Sequence, residues 1–150
     1  MRARDPDISD YVERDGIKVG YEVFGEGLPA VVFTPTDGIV NSRSWKAQVP
    51  YLGRRSKVVT LDPRGNGRSD RPQSSAAHAD THFADDTIAV MDATGIDQAI
   101  LVGLCSSGWR ALLTAARHPN DISGFDRPGL PIPPPFGLSL ATAQMRKCAW

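Results

Sequence analysis

The chain has 150 residues and a mass of 16.2 kDa, which suits one domain, and its 41% hydrophobic content is enough for a packed core. Lys plus Arg and Asp plus Glu both number 17, so the net charge is zero. The chain therefore has no excess of positive charge that would indicate binding to nucleic acid or anionic lipid. The sequence shows no membrane span, no secretory signal, and no disulfide or zinc spacing at its two cysteines, Cys105 and Cys148. We therefore expect a soluble cytoplasmic α/β protein without a cofactor, a metal, or a nucleic-acid or membrane partner.

Strands and helices alternate along the first 125 residues. In chain order, the predicted elements are strands over Tyr11–Arg14, Ile17–Phe24 and Ala30–Thr34, a helix over Ser44–Leu52, a strand over Lys57–Leu61, a helix over Asp80–Thr94, a strand over Ala99–Val102, and a helix over Ser106–Arg117. The Asp15-Gly16 pair between the first two strands is a hairpin signal. Short apolar strands alternating with helices indicate a mostly parallel sheet with helices on both faces.

The last predicted helix and the residues after it carry two further signals. Its apolar residues, Trp109, Leu112, Leu113 and Ala116, fall on one helix face. The segment after it, residues 118–125, has the composition of an approach to a further strand.

The composition changes near Phe125. Residues 126–150 hold five of the 12 prolines and one of the 17 acidic residues, Asp126. Consecutive prolines cannot donate hydrogen bonds to a helix or a sheet. We therefore divide the chain into an α/β domain over residues 1–125 and a Pro-rich irregular tail over 126–150.

A nucleophilic residue stands where the Ala99–Val102 strand turns into the next helix. Gly103 lies two residues before Cys105 and Ser107 two residues after it. A sharp strand-to-helix turn crowds these flanking positions and exposes the residue at its apex beside the helix N-terminus, where an anion is favoured. Cys105 is therefore a candidate nucleophile, and an inert buried cysteine is the alternative interpretation.

This turn resembles the nucleophile elbow of the α/β-hydrolase fold, G-x-S-x-G, with Cys105 in the serine position and Ser107 in place of the second glycine. Dienelactone hydrolases are similar in using cysteine at this position. A shift by one residue would make Ser106 the nucleophile, but it would put Leu104 where a small residue is needed. The resemblance therefore favours Cys105.

Two further segments resemble the same family, and the likeness spans residues 11–125. Residues 21–33 look like its antiparallel entry strand and first parallel strand, and residues 61–72 contain its D-x-R-G-x-G-x-S loop. Gly65 and Gly67 could also suggest a dinucleotide fingerprint, but Asp70 occupies the position that needs the third glycine. We expect these glycines to shape a tight turn and to do no chemistry.

The resemblance implies an oxyanion hole, in which one N–H belongs to the residue after the nucleophile, here Ser106. A second N–H comes from the loop after the first parallel strand, usually marked His-Gly. This chain has Pro35 there, and proline has no N–H, so the second donor would be Thr36 or Asp37.

The family's late acid and histidine have no clear counterpart. After Cys105 the remaining histidine is His118, at the far end of a helix of about eleven residues, which rises roughly 16 Å. His78 and His82 precede the nucleophile and are expected at the surface, as is His118. The acids Asp121 and Asp126 then have no histidine to orient.

By resemblance, the parent activity is hydrolysis of a small ester or similar acyl substrate by the elbow nucleophile. We expect this chain to be the N-terminal part of such a hydrolase, cut short or frameshifted near residue 125 and therefore without the later strands and the cap. The other explanation is a reduced member of the family whose tail covers the edge of the sheet. The alternative function is a non-catalytic fragment or a small-ligand-binding domain, which the missing histidine favours.

Overall fold

A mixed five-stranded sheet organises the residues that the computed structural model describes, which are 4–35 and 40–123. The strands are β1 (Ile8–Arg14), β2 (Ile17–Phe24), β3 (Ala30–Phe33), β4 (Val58–Leu61) and β5 (Ala99–Val102). The α-helices are α1 (Val49–Leu52), α2 (Asp80–Ala93) and α3 (Ser106–Arg117), and 3₁₀ turns cover Ser42–Trp45 and Ser75–His78.

The strand order is β1-β2-β4-β3-β5. β1, β2 and β4 pair antiparallel, and β3 pairs parallel with both β4 and β5. This confirms the predicted entry hairpin and the parallel strands behind it. Asp15 and Gly16 both have positive φ (55° and 73°), as a two-residue hairpin turn requires.

Helices cover both faces of the sheet, as predicted, and each face has its own apolar core. One core lies under the 3₁₀ turn and α1, and its buried members are Phe24, Val31, Phe33, Trp45, Val49 and Val58. The other lies on the opposite face and includes Val19, Tyr21, Val23, Val32, Val59 and Leu61 together with Val90 and Met91 of α2. Strand side chains alternate between faces, so Val31 and Val32 of β3 enter different cores.

The single helix predicted over Ser44–Leu52 is wrong. The chain forms a 3₁₀ turn that ends at Trp45, then turns, and begins α1 only at Val49. Pro50 lies at the start of α1, where its missing N–H costs nothing, whereas inside a longer helix it would remove a hydrogen bond.

The buried face of α3 is not the face that carries Trp109 and Ala116. Its buried residues are Ser107, Arg110 and Thr114, whereas Trp109 is 59% exposed and Ala116 is exposed. The polar side chains bond to backbone and to α2, since the Thr114 hydroxyl donates to the Arg110 carbonyl (2.7 Å) and the Arg110 Nε donates to Asp80 Oδ1 (3.1 Å).

The chain turns back to the sheet after α3. Ile122 makes a parallel bridge to Ala99, in which the Ala99 N–H donates to the Asp121 carbonyl (3.0 Å) and the Ser123 N–H donates to the Ala99 carbonyl (3.1 Å). The predicted approach to a further strand is therefore present. The proposed boundary at Phe125 and the tail over 126–150 lie outside the described residues.

Candidate functional site

Cys105 occupies the apex of the turn between β5 and α3. Its backbone has φ 56° and ψ −122°, and among the described residues the other non-glycine with positive φ is Asp15. Such a conformation is strained in a residue with a side chain and persists only where the surroundings impose it. The side chain of Cys105 is exposed, and the thiol is not in a disulfide.

Gly103 and Ser107 together close this turn. A Cβ on Gly103 would lie 2.4 Å from the Ser107 carbonyl oxygen, so no other residue fits there without a shift of the backbone. The fully buried Ser107 hydroxyl accepts a hydrogen bond from the Leu104 N–H (2.6 Å) and donates to the Leu104 carbonyl (2.9 Å). A serine in the position of the second glycine therefore fits this turn and ties its two sides together.

Thr34 joins the end of β3 to the same turn. Its buried Oγ1 lies 3.0 Å from the Val102 carbonyl oxygen and 2.9 Å from the Ser107 carbonyl oxygen. Its N–H also donates to the Val102 carbonyl at 2.9 Å. The carboxyl ends of β3 and β5 are thereby held side by side next to Cys105.

One of the residues predicted as oxyanion donors, Ser106, lies within the described ranges. Ser106 is the first residue of α3, where backbone N–H groups point out of the helix end. Thr36 and Asp37 lie outside the described residues. Pro35, just before them, is buried at the end of β3.

Arg110 lies beside this site and was not predicted from the sequence. The residue is 7% exposed, its Nη1 donates to the Pro35 carbonyl (3.2 Å), and its Nε donates to Asp80 Oδ1 (3.1 Å). The guanidinium carbon also lies 3.7 Å from the centroid of the Phe83 ring. The available signal was its helical spacing from Ser107 and Thr114, which puts three polar residues on one face of an otherwise apolar helix.

The three histidines of the sequence are engaged away from Cys105. The His78 Nε2 lies 3.0 Å from the Pro72 carbonyl, and the His82 Nδ1 lies 3.1 Å from the Arg14 guanidinium. His118 ends α3, with its Nδ1 3.7 Å from Asp121 Oδ2, and it is half-buried and not exposed as predicted. The length of α3, about 18 Å for its twelve residues, separates His118 from Cys105.

The glycines of the loop after β4 shape a tight turn, as expected. Gly65 and Gly67 have φ of 91° and 56°, and a Cβ on Gly67 would lie 2.2 Å from Asp62 Oδ2. The Asp62 carboxylate accepts hydrogen bonds from the N–H groups of Ser42 (2.8 Å) and Arg68 (2.9 Å). Asp62 therefore stabilises two loops, and the glycines make room for it.

Other kinds of site receive no support from the described residues. No group of three His, Cys, Asp or Glu side chains in 4–35 and 40–123 could hold a metal ion. A cavity lined by residues such as Arg4, Phe24, Arg43 and Thr60 has no lining residue from the Cys105 turn. Within the same ranges, every helix is too short or too polar to cross a membrane.

The chain is similar in sequence to known hydrolases. A family model described as the alpha/beta hydrolase fold matches residues 23–125. The bifunctional esterase/perhydrolase DCH of Acinetobacter calcoaceticus is 33% identical over 109 residues, which are 72% of this chain and 39% of that protein. The 2-hydroxymuconate semialdehyde hydrolase of a Pseudomonas species is 30% identical over 118 residues, 78% of this chain and 41% of that protein.

Solved structures show the same relationship. An epoxide hydrolase from Vigna radiata superposes with a TM-score of 0.71 at 28% identity, over 78% of this chain and 38% of that one. An enol-lactonase from Burkholderia xenovorans superposes with a TM-score of 0.69 at 28% identity, over 75% of this chain and 44% of that one. The chain spans about two fifths of the length of the curated relatives described above. With a family model that covers most of its length and a sheet that superposes on solved hydrolases, this chain belongs to the α/β-hydrolase fold family.

Proposed function

We propose that Cys105 is the nucleophile of a hydrolase that acts on small ester or similar acyl substrates. The observation that carries this proposal is the strained backbone of Cys105, at positive φ and with an exposed side chain, at the junction of β5 and α3. Strain of this kind, maintained by the fit between Gly103 and Ser107, is characteristic of functional positions. The relatives, which include an esterase and an enol-lactonase, support the substrate class.

The geometry favours Cys105 over Ser106 as the attacking residue. Ser106 is already part of α3, whereas Cys105 carries the positive φ. In a strand-to-helix elbow, the nucleophile is the residue at the strained apex, and the next residue supplies an oxyanion N–H. Ser106 therefore suits the role of backbone donor.

The proposed reaction begins with attack of the Cys105 thiolate on the substrate carbonyl carbon. A C–S bond forms and the carbonyl π electrons move to the oxygen, which the N–H of Ser106 and the N–H of Thr36 or Asp37 stabilise. The electrons then return, the C–O bond breaks, and an alkoxide or phenolate leaves, which takes up a proton from water according to its basicity. A thioester remains on Cys105. Hydrolysis of that thioester needs a base to activate water.

The positions of the histidines limit what this chain does alone. His78, His82 and His118 each contact other groups, and none of the three lies at the Cys105 turn. This observation favours a second candidate, a non-catalytic domain that binds a small ligand near Cys105. For the isolated chain we therefore expect acylation without rapid turnover.

Labelling with p-nitrophenyl acetate tests the nucleophile. We expect one equivalent of nitrophenolate and one acetyl group on Cys105, detected by absorbance and by mass spectrometry of peptides. The Cys105→Ala variant should lose this labelling and the matched Ser106→Ala variant should keep it, because the proposed role of Ser106 uses only its backbone.

The outcomes separate the two candidates. If Cys105 stays unlabelled in folded protein while Cys148 reacts, the proposed nucleophile is wrong. Many turnovers that disappear in Cys105→Ala would instead exclude the non-catalytic candidate and require a base other than the three histidines.

A further inference from the structure

We propose that Ser107 is a positioning residue for acyl transfer to Cys105, because its hydroxyl holds the peptide groups on both sides of Leu104 and thereby the direction in which the Cys105 thiol extends. This inference rests on the proposed function. It gives a role to a side chain that the family motif G-x-S-x-G does not contain, since the motif has glycine at this position.

The Ser107 hydroxyl bonds to both backbone polar groups of one residue. It accepts from the Leu104 N–H at 2.6 Å and donates to the Leu104 carbonyl at 2.9 Å. A hydroxyl has one proton to donate, so this contact uses all of its donor capacity. Ser107 is 0% exposed, and hydrogen bonds in a buried site are stronger than in water. The hydroxyl therefore holds both peptide groups of Leu104 firmly.

The bond to the Leu104 carbonyl bears on Cys105 through the geometry of the peptide bond. This carbonyl and the Cys105 N–H belong to one planar unit, and φ of Cys105 is the rotation that joins that unit to the Cys105 Cα. The value of φ is 56°, which is strained in a residue with a side chain and relaxes where the unit is free to rotate. The Ser107 hydroxyl opposes this rotation and keeps the thiol on its present side of the turn.

The backbone of Ser107 is itself held in place. Its carbonyl oxygen lies 2.9 Å from Thr34 Oγ1 at the end of β3, and its N–H donates to the Leu104 carbonyl at 3.2 Å. Ser106, the proposed backbone donor to the oxyanion, lies between Cys105 and Ser107 in the same turn. Acyl transfer needs the thiolate and the oxyanion donor to be aligned at the same moment, so it depends on how firmly this turn is held.

A second buried hydroxyl on α3 provides the control. Thr114 is also 0% exposed, and its Oγ1 donates to the Arg110 carbonyl at 2.7 Å. It thus makes a buried hydroxyl-to-carbonyl bond like that of Ser107, but two helical turns further along α3. If the Ser107 hydroxyl serves only to stabilise α3, removing either hydroxyl should have the same effect on Cys105.

The experiment compares two reactions of Cys105 in the full 150-residue chain. Acylation by p-nitrophenyl acetate develops an oxyanion, whereas alkylation by iodoacetamide displaces iodide at a saturated carbon and develops none. A change in thiolate population or in access affects both rates, so their ratio reports the alignment of the thiolate with the oxyanion donors. Both rates are followed at Cys105 by mass spectrometry of peptides, in the parent and in Ser107→Ala, Ser107→Gly and Thr114→Val.

We expect Ser107→Ala to lower the ratio of acylation to alkylation about tenfold, less than the loss of a whole oxyanion donor. Ser107→Gly removes the same hydroxyl and should lower the ratio at least as much, because glycine also frees the backbone of the turn. Thr114→Val should match the parent. Where Ser107→Ala does not fold, as judged by circular dichroism, Ser107→Gly decides, since glycine is the family's own residue at this position.

An unchanged ratio in either folded Ser107 variant would overturn the positioning role, and so would an equal fall in Thr114→Val. Failure of the proposed function looks different, since Cys105 of the parent would then not be acylated at all while iodoacetamide still reacts.

Discussion

Gly103 and Gly108 lie on either side of Cys105 and face different constraints. A Cβ on Gly103 would come within 2.4 Å of the Ser107 carbonyl oxygen and 2.6 Å of the Gly108 nitrogen, which are backbone atoms that cannot move aside cheaply. A Cβ on Gly108 would meet nothing closer than 3.8 Å. The close approach of strand end and helix start at Cys105 therefore depends on one of these glycines and not on the other.

Alanine at these two positions should have opposite effects on stability. We expect Gly103→Ala to lower the free energy of unfolding by at least about 2 kcal/mol through steric overlap. Gly108→Ala, inside α3, should raise it by about 0.5–1 kcal/mol, because alanine loses less backbone entropy in a helix. Urea unfolding followed by circular dichroism measures both, and a Gly103→Ala variant as stable as the parent would contradict this geometry of the turn.

A buried ion-pair cluster joins the loop after β4 to α2 and to the hairpin. The Arg64 guanidinium binds both carboxylate oxygens of Asp86, at 2.7 Å from Nε and 2.6 Å from Nη2, and both side chains are almost fully buried. The Arg14 Nε adds a third contact to Asp86 at 2.9 Å. One carboxylate of α2 thus holds two arginines from separate elements.

Removing the Asp86 carboxylate should lower the free energy of unfolding far more than removing the neighbouring Asp85 carboxylate. Asp86→Ala leaves Arg64 buried without its partner, so we expect a loss of about 3–5 kcal/mol in the free energy of unfolding. Asp85→Ala removes more exposed ion pairs on the same helix, such as that with Arg117, and should cost less than about 1 kcal/mol. Thermal unfolding of the two variants tests this difference, and equal midpoints would show that the cluster adds no stability.

Two of the three tryptophans show that the composition of a segment does not determine which of its residues are buried. Trp45 is 6% exposed and its ring centroid lies 4.4 Å from that of Phe33, whereas Trp109 is 59% exposed. Both occur in short apolar segments with helical spacing. Their different environments follow from where each segment lies against the sheet, and a local pattern does not contain that information.

Asp7, near the start of the described residues, makes contacts that hold its segment against the sheet. The Asp7 carboxylate accepts a hydrogen bond from the Gly25 N–H at 2.5 Å and pairs with Arg4 at 2.9 Å, while the Asp7 N–H donates to the Val23 carbonyl. The backbone hydrogen bond from Gly25, and to a smaller extent the charge of Arg4, hold the pKa of Asp7 below its usual 3.8. The segment before β1 is thereby attached to the end of β2.

This contact should make a small, pH-dependent contribution to stability. Because the pKa of Asp7 is lower in the folded chain, its contribution is present above pH 3.8 and disappears as the pH falls through the folded-state value. We expect Asp7→Asn to have a lower Tm than the parent at neutral pH, and the difference to close in strong acid. Asp5→Asn, at an exposed position on the same segment, is the control, and an equal Tm for Asp7→Asn and the parent at neutral pH would contradict the prediction.

Much of the fold follows from local patterns in the sequence. Alternation in Ile17–Phe24, the Asp15-Gly16 turn and the short apolar runs predict all five strands to within a few residues, since backbone preference and burial act locally there. The small residues around Cys105 indicate its turn because close packing needs them at fixed positions. The strained backbone of Cys105 agrees with that motif, and its role as nucleophile stays a prediction.

Contacts between segments that are distant in the sequence determine the order of the strands and the buried face of α3. β2 lies beside β4 and not beside β3, its neighbour in sequence, because the crossover through α1 returns the chain to that edge. α3 buries Arg110 and Thr114 and leaves Trp109 exposed, because Asp80, Phe83 and the Pro35 carbonyl satisfy the arginine. A polar side chain can be buried only where partners from other elements compensate its desolvation, and those partners lie between 27 and 75 residues away in the chain.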